Sequence, residues 1–233
     1  MKIFLLAGCF ISSMAYSQTA EEYFKSADNK LAAKNYKAAI TDYSSVIFIN
    51  PKDAKAFCNR GIAKDSLHDY KGAMADYSAA IAIDPDDAKA YNNRGLIKEQ
   101  QKDYRAAMAD YSDAMNLDTK SATACINRGR IKDKLKDYMG AIVDFNKAIA
   151  IDSNYVSAYL NRGNIKNHLK DHDGAIADYD KAITIDPNYA SAYFNRGLTK
   201  ILLKQKREGC DDLAKAKEQG YENVQDVIKK YCK

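Results

Sequence analysis

The tripeptide Asn-Arg-Gly occurs five times at a constant spacing of 34 residues: Asn59-Arg60-Gly61, Asn93-Arg94-Gly95, Asn127-Arg128-Gly129, Asn161-Arg162-Gly163 and Asn195-Arg196-Gly197. A fixed period of this size marks a chain built from stacked copies of one supersecondary unit, each burying its apolar face on its neighbours. The constraint reaches function as well as fold. Such arrays seldom enclose a catalytic pocket; they present an extended surface to a partner.

Within the copy that runs from Ala54 to Asp87, apolar or small residues fall at Ala54, Phe57 and Gly61, then at Tyr70, Ala73, Met74, Tyr77, Ala80 and Ile81. Spacings of three and four place each set on one face of a helix. The polar stretch Asp65-Ser66-Leu67-His68-Asp69 between them suits a short helix–helix turn. Each copy is therefore expected to be two antiparallel helices, A and B. A glycine inside a helix costs about 1 kcal/mol against alanine. Its recurrence at Gly61, Gly95, Gly129, Gly163 and Gly197 argues for close approach of two helices. Pro51, Pro85 and Pro187 share one register between copies, where a proline stops one helix and can open the next.

A unit of 34 residues with an aromatic at position 4, Gly at 8, Tyr at 17, Ala at 20, Tyr or Phe at 24, Ala at 27 and Pro at 32 resembles the tetratricopeptide repeat. Six units fit: 20–53, 54–87, 88–121, 122–155, 156–189 and 190–220, followed by an amphipathic stretch at 221–233. The departures are local: Ala27 and Ser26 in unit one, Cys125 in unit four, Thr119 and Ser153 for proline, and His172 and Lys206 for the position-17 tyrosine. The resemblance implies an all-α, right-handed α-solenoid closed by a C-terminal capping helix. Its concave wall would be lined by the A helices, with positions 2, 5, 6, 9, 12 and 13 facing inward.

On that wall, position 6 is asparagine in five units: Asn59, Asn93, Asn127, Asn161 and Asn195. An amide both donates and accepts. The row can therefore hold the main chain of an extended peptide, as the asparagine ladder does in the repeats of O-GlcNAc transferase, or it can bond locally. Around the row, Lys55, Lys89, Asn92 and Arg130 make a polar wall, and Phe194 is the candidate apolar anchor at the C-terminal end, the alternative being that the cap helix covers it. The carboxylate clamp that some members of the family use for chaperone tails requires lysine at position 5. Here that position reads Phe24, Cys58, Asn92, Ile126, Leu160 and Phe194, so the clamp is absent.

Position 7 is arginine in five units (Arg60, Arg94, Arg128, Arg162, Arg196), and position 23 is aspartate in all six (Asp42, Asp76, Asp110, Asp144, Asp178, Asp212). The planar fork of arginine suits a carboxylate. Unit one has the aspartate without the arginine, so the count fits pairs from each aspartate to the next unit's arginine, Asp42 with Arg60 and onward, leaving Asp212 spare. These are expected to be structural ion pairs.

Residues 1–17 read as a secretory signal peptide: Lys2, an apolar run from Ile3 to Met14, and Ala15-Tyr16-Ser17 before a cleavage point at Gln18. The expected location is periplasmic or secreted. The alternative is a lipoprotein anchored through Cys9 in Leu6-Ala7-Gly8-Cys9. In an exported chain Cys210 and Cys232 are expected to pair, since helices folded back at Gly220 bring them level; Cys58 and Cys125 are expected to be small buried thiols. Thirty-six basic against thirty-one acidic residues, interspersed, give a net charge of +5 and no basic stripe, which argues against nucleic acid. No transmembrane segment, cofactor or metal site is expected. His168 and His172 have ligand spacing but fall at an inter-helix turn. The sequence thus points to a non-catalytic scaffold or adaptor that binds a protein or peptide in its groove. The alternative is a structural array that self-associates.

Overall fold

The structure, a computed structural model, describes residues 19–232. The expected signal peptide and Cys9 lie outside the described residues. Those described form thirteen α-helices and no strand. The helices come in pairs: α1 (19–32) with α2 (Tyr36–Ile49), α3 (Ala54–Ser66) with α4 (Tyr70–Ile83), and α5 (Ala88–Gln100) with α6 (Tyr104–Leu117). Then come α7 (Ala122–Lys134) with α8 (Tyr138–Ile151), α9 (Val156–His168) with α10 (His172–Ile185), and α11 (Ala190–Leu202) with α12 (Lys206–Glu218). A last helix, α13 (Val224–Tyr231), follows.

The pairs form two compact units. One ends at Thr119 and holds α1–α6; the other begins at Lys120 and holds α7–α13. Inside each, the second helix of a pair packs on the first helix of the next: α2 on α3 and α4 on α5, then α8 on α9 and α10 on α11. First helices also touch one another, α3 with α5, α7 with α9 and α9 with α11, so each unit has a continuous wall of A helices.

The recurring glycine and the recurring aromatic are two halves of one contact. A Cβ on Gly61 would stand 2.7 Å from Cε1 of Tyr77, and Gly95 meets Tyr111, Gly129 meets Phe145 and Gly163 meets Tyr179 in the same way. Those rings are fully buried, as is the alanine at position 20 in the first five repeats. In the sixth repeat, Leu213 replaces the aromatic. There Gly197 faces Gly209 directly, with a Cβ on Gly197 falling 2.8 Å from the Gly209 carbonyl oxygen.

Helix ends are set by short polar residues. Asp53, Asp69, Asp87, Asp103, Asp137 and Asp171 each accept a hydrogen bond from the backbone N–H three residues on, satisfying an amide that the helix itself leaves unpaired. The A helices end on a left-handed residue. His68 has φ 62°, its N–H bonds to the Asp65 carbonyl, and the Asp69 N–H bonds to the Lys64 carbonyl. Lys34, Lys102, Lys136, Lys170 and Lys204 repeat this backbone conformation.

At the C-terminus, Gly220 turns the chain with φ 80°. Val224, Val227, Ile228 and Cys232 of the last segment join a cluster with Leu213, Ala216, Phe194, Leu198 and Ile201. Cys210 and Cys232 are joined in a disulfide with Cα atoms 5.6 Å apart. Cys58 and Cys125 are free and buried.

Candidate functional site

Every repeat is organised around the position-23 aspartate, which is at most 7% exposed wherever it occurs. Arg60 donates from Nε to Oδ2 of Asp76 at 2.9 Å and from Nη2 to Oδ1 at 2.8 Å. Arg94 grips Asp110, Arg128 grips Asp144, Arg162 grips Asp178 and Arg196 grips Asp212 by the same two bonds. The pairing is therefore within the repeat, which corrects the expected bond to the preceding repeat's aspartate. Asp212 is not spare, and Asp42 is the aspartate that lacks an arginine. The A and B helices of one repeat are the closest pair in the fold, and arginine reaches across that contact.

A second cation was missed. Lysine stands at position 11 of all six repeats and reaches the same aspartate: Lys30 to Asp42, Lys64 to Asp76, Lys98 to Asp110, Lys132 to Asp144, Lys166 to Asp178 and Lys200 to Asp212, at 2.5–2.9 Å. Its presence in every copy was the available signal. The preceding repeat does enter, but through position 25. Arginine Nη1 donates to Ser44 from Arg60, to Ser78 from Arg94, to Asn146 from Arg162 and to Asp180 from Arg196. The aromatic at position 4 lies under the guanidinium in those repeats, 5.4–5.5 Å from ring centre to Cζ. Each of these arginines is thereby engaged by a carboxylate of its own repeat.

On the A-helix wall of the first unit, Asp28 Oδ1 accepts from Tyr43 Oη at 2.5 Å and from Asn59 Nδ2 at 3.3 Å. Asn59 Oδ1 in turn accepts from Lys89 Nζ at 3.3 Å. This chain of polar groups spans three repeats and borders a cavity of about 460 Å³, lined also by Phe24, Lys55, Cys58 and the carboxylates Asp84, Asp86 and Asp87. Burial, with the nearby Asp87 charge adding to it, pushes the Cys58 thiol up to about 12, which favours its protonated form. The cavity is lined by carboxylate and amide acceptors and by two exposed lysines, Lys55 and Lys89.

The asparagine row is not a uniform ladder of open amides. Asn59 is engaged as described, Asn127 is 6% exposed, and Asn195 donates to Asn164 Oδ1 at 2.8 Å. Asn164 also accepts from Tyr179 Oη at 3.0 Å. Asp28 and Asn164 both hold position 9 and do the same work, an anchoring role that sequence reasoning missed for Asp28. The signal was polar residues there against Ile62, Leu96 and Leu198 elsewhere. Asn93 and Asn161 are half-buried and make no side-chain hydrogen bond among the described residues. Lys55, Lys89 and Arg130 are exposed and Asn92 is half-buried on the same wall.

Of the two readings of Phe194, open anchor or covered residue, the structure has it covered. Tyr221 stacks on its ring, with centroids 4.2 Å apart and planes at 15°. His172 bonds through Nδ1 to Asn167 at 2.7 Å, and His168 packs on Tyr138. Among the described residues no group of three His, Cys, Asp or Glu side chains gathers as around a metal ion. None of the helices described is long and apolar enough to cross a membrane.

Successive helix pairs, with a Gly–aromatic contact in repeats two to five, define a helical-repeat protein. Comparison with known families names the class. The TPR repeat family matches residues 66–102, 129–169 and 163–201, and the tetratricopeptide repeat matches 88–121. Together these spans cover more than half of the sequence, and the chain belongs to the tetratricopeptide repeat family. No curated protein matches it at a significant level. Among solved structures it is similar to pilF of Pseudomonas aeruginosa (TM-score 0.81, 18% identity, covering 93% of this chain and 99% of that one). It is also similar to MamA (0.64, 26%, 71% and 96%) and to YrrB, a TPR protein with an unusual peptide-binding site (0.66, 21%, 81% and 97%).

Proposed function

We propose that the protein is a non-catalytic scaffold that holds a polar, extended segment of a partner protein on the A-helix wall of its first three repeats. The observation that carries this reading is the Asp28–Asn59–Lys89 chain beside the cavity of about 460 Å³. Its groups are hydrogen-bonding amides and carboxylates with exposed lysines beside them, which suits a peptide main chain and its donors. Asn93, one repeat on, keeps its amide for a ligand. YrrB, where the fold bears a peptide-binding site, is compatible in architecture.

The wall is tested with whatever protein co-purifies from the native host. Asn59→Ala combined with Asn93→Ala removes two amides. At roughly 0.5–1.5 kcal/mol each, affinity is expected to fall by about one to two factors of ten with the helix content unchanged. Unchanged affinity would remove this wall from consideration. Self-association is the competing outcome, read from a mass in solution that rises with concentration.

We also propose export to an oxidising compartment. The apolar run and small residues before Gln18 support this, as does the Cys210–Cys232 bond. Protein recovered from the host envelope should begin at Gln18. A start at Cys9 would point to the lipoprotein form, and an intact Met1 in the cytoplasm would contradict export.

A further inference from the structure

Repeat one carries the frame of the buried charge layer without its arginine. Asp42 is 7% exposed, and Lys30 reaches it at 2.5 Å as the position-11 lysine does elsewhere. Ser26 stands at position 7 and donates to the same oxygen, Oδ2, at 2.6 Å. Oδ1, the atom that takes arginine Nη2 in the other five repeats, accepts no hydrogen bond among the described residues. A cavity of about 380 Å³ adjoins Asp42, lined also by Thr19, Glu22, Tyr23, Ser26 and Lys30. We propose that this cavity is a guanidinium-binding site, and that its occupant is an arginine side chain of a partner protein.

The other repeats supply the template. In each, a guanidinium forks onto the aspartate, and in four of them it lies over the aromatic at position 4. Tyr23 holds position 4 of repeat one and is 39% exposed, so its face is available for the same stacking. Glu22 adds a second carboxylate at the rim. The direction of entry also follows. Arginine Nη1 elsewhere touches position 25 of the preceding repeat, so the guanidinium lies on the side facing that repeat. On that side of repeat one no described repeat stands. Residues 1–18 contain no arginine, so that segment cannot supply the group. A lysine ammonium fits less well, because Lys30 already fills the point-charge position; what is missing is a planar fork that can stack and bond through two edges. The site lies on a different face from the cavity bordered by Asn59 and Lys89, and neither reading depends on the other.

The test is a titration of the isotope-labelled protein, followed by backbone amide shifts, with the blocked peptide acetyl-Gly-Arg-Gly-amide and its lysine counterpart. The arginine peptide should produce saturable shifts centred on Tyr23, Ser26 and Asp42, with binding several-fold weaker for the lysine peptide. Ser26→Arg should abolish the shifts by supplying the guanidinium from within, and should raise the melting temperature. Where that variant does not fold, Asp42→Asn should abolish the shifts instead. Absence of saturable shifts, equal binding of the two peptides, or shifts that survive Ser26→Arg or Asp42→Asn would overturn the proposal. So would shifts at these residues that grow with protein concentration and no peptide, which would place a second copy in the site.

Discussion

Among the described residues the Tyr77 hydroxyl is buried with no hydrogen-bond partner. Its equivalents are served from the A helix: Tyr43 by Asp28, Tyr111 by Glu99 at 3.2 Å and Tyr179 by Asn164. Repeat two has Ile62 at the position of Asp28 and Asn164, and the hydroxyl is stranded. Repeat four avoids the problem with Phe145. Leaving a buried hydroxyl unpaired costs about 1–3 kcal/mol. Tyr77→Phe is therefore expected to be neutral or to stabilise by about 1 kcal/mol, measured by urea unfolding; a loss of 1 kcal/mol or more would show that the hydroxyl has a partner. Sequence reasoning recognised the arginine and aspartate as partners but mistook the register. Arg60 lies 18 residues after Asp42 and 16 before Asp76, and both distances are compatible with contact in stacked hairpins. Only the packing of A against B decides between them. The decision matters, because it moves the incomplete layer from the last repeat to the first.

At the scale of elements, helix type, pairing and the turn near Asp69 were legible from period and polarity. The left-handed residue at each A-helix end was not, because lysine carries no mark of positive φ. An L-residue there costs roughly 1–2 kcal/mol. Glycine would relieve that strain while losing more chain entropy on folding, about 0.5–1 kcal/mol. Lys136→Gly is thus expected to stabilise by about 0.5–1 kcal/mol, seen as a higher denaturation midpoint with an unchanged slope. Destabilisation would mean that the Lys136 side chain contributes more than its backbone costs. The C-terminal element was legible in part. The amphipathic pattern of Val224, Val227 and Ile228 and the level of Cys210 with Cys232 were readable. That Tyr221 would stack on Phe194 was not, since the ring precedes the helix and belongs to no periodic pattern.

At the scale of the molecule, layers of Lys and Asp, completed by Arg in repeats two to six, join the two helices of each repeat and leave the A-helix wall to vary. The variable wall residues, from Phe24 and Lys55 to Asn93, give the first unit a polar surface with its own cavity. The second unit ends in a disulfide-bonded cap that covers the apolar residues of α11. Function at this scale was legible only as a class, because a partner is encoded in its own sequence. The central claim is that the A-helix wall of the first unit is where a partner binds. Hydrogen exchange of the protein with and without its co-purified partner tests it most directly. The account predicts added protection on α1, α3 and α5, centred on the segments around Asn59 and Lys89. Protection confined to α2, α4 and α6, with those segments unchanged, would contradict it.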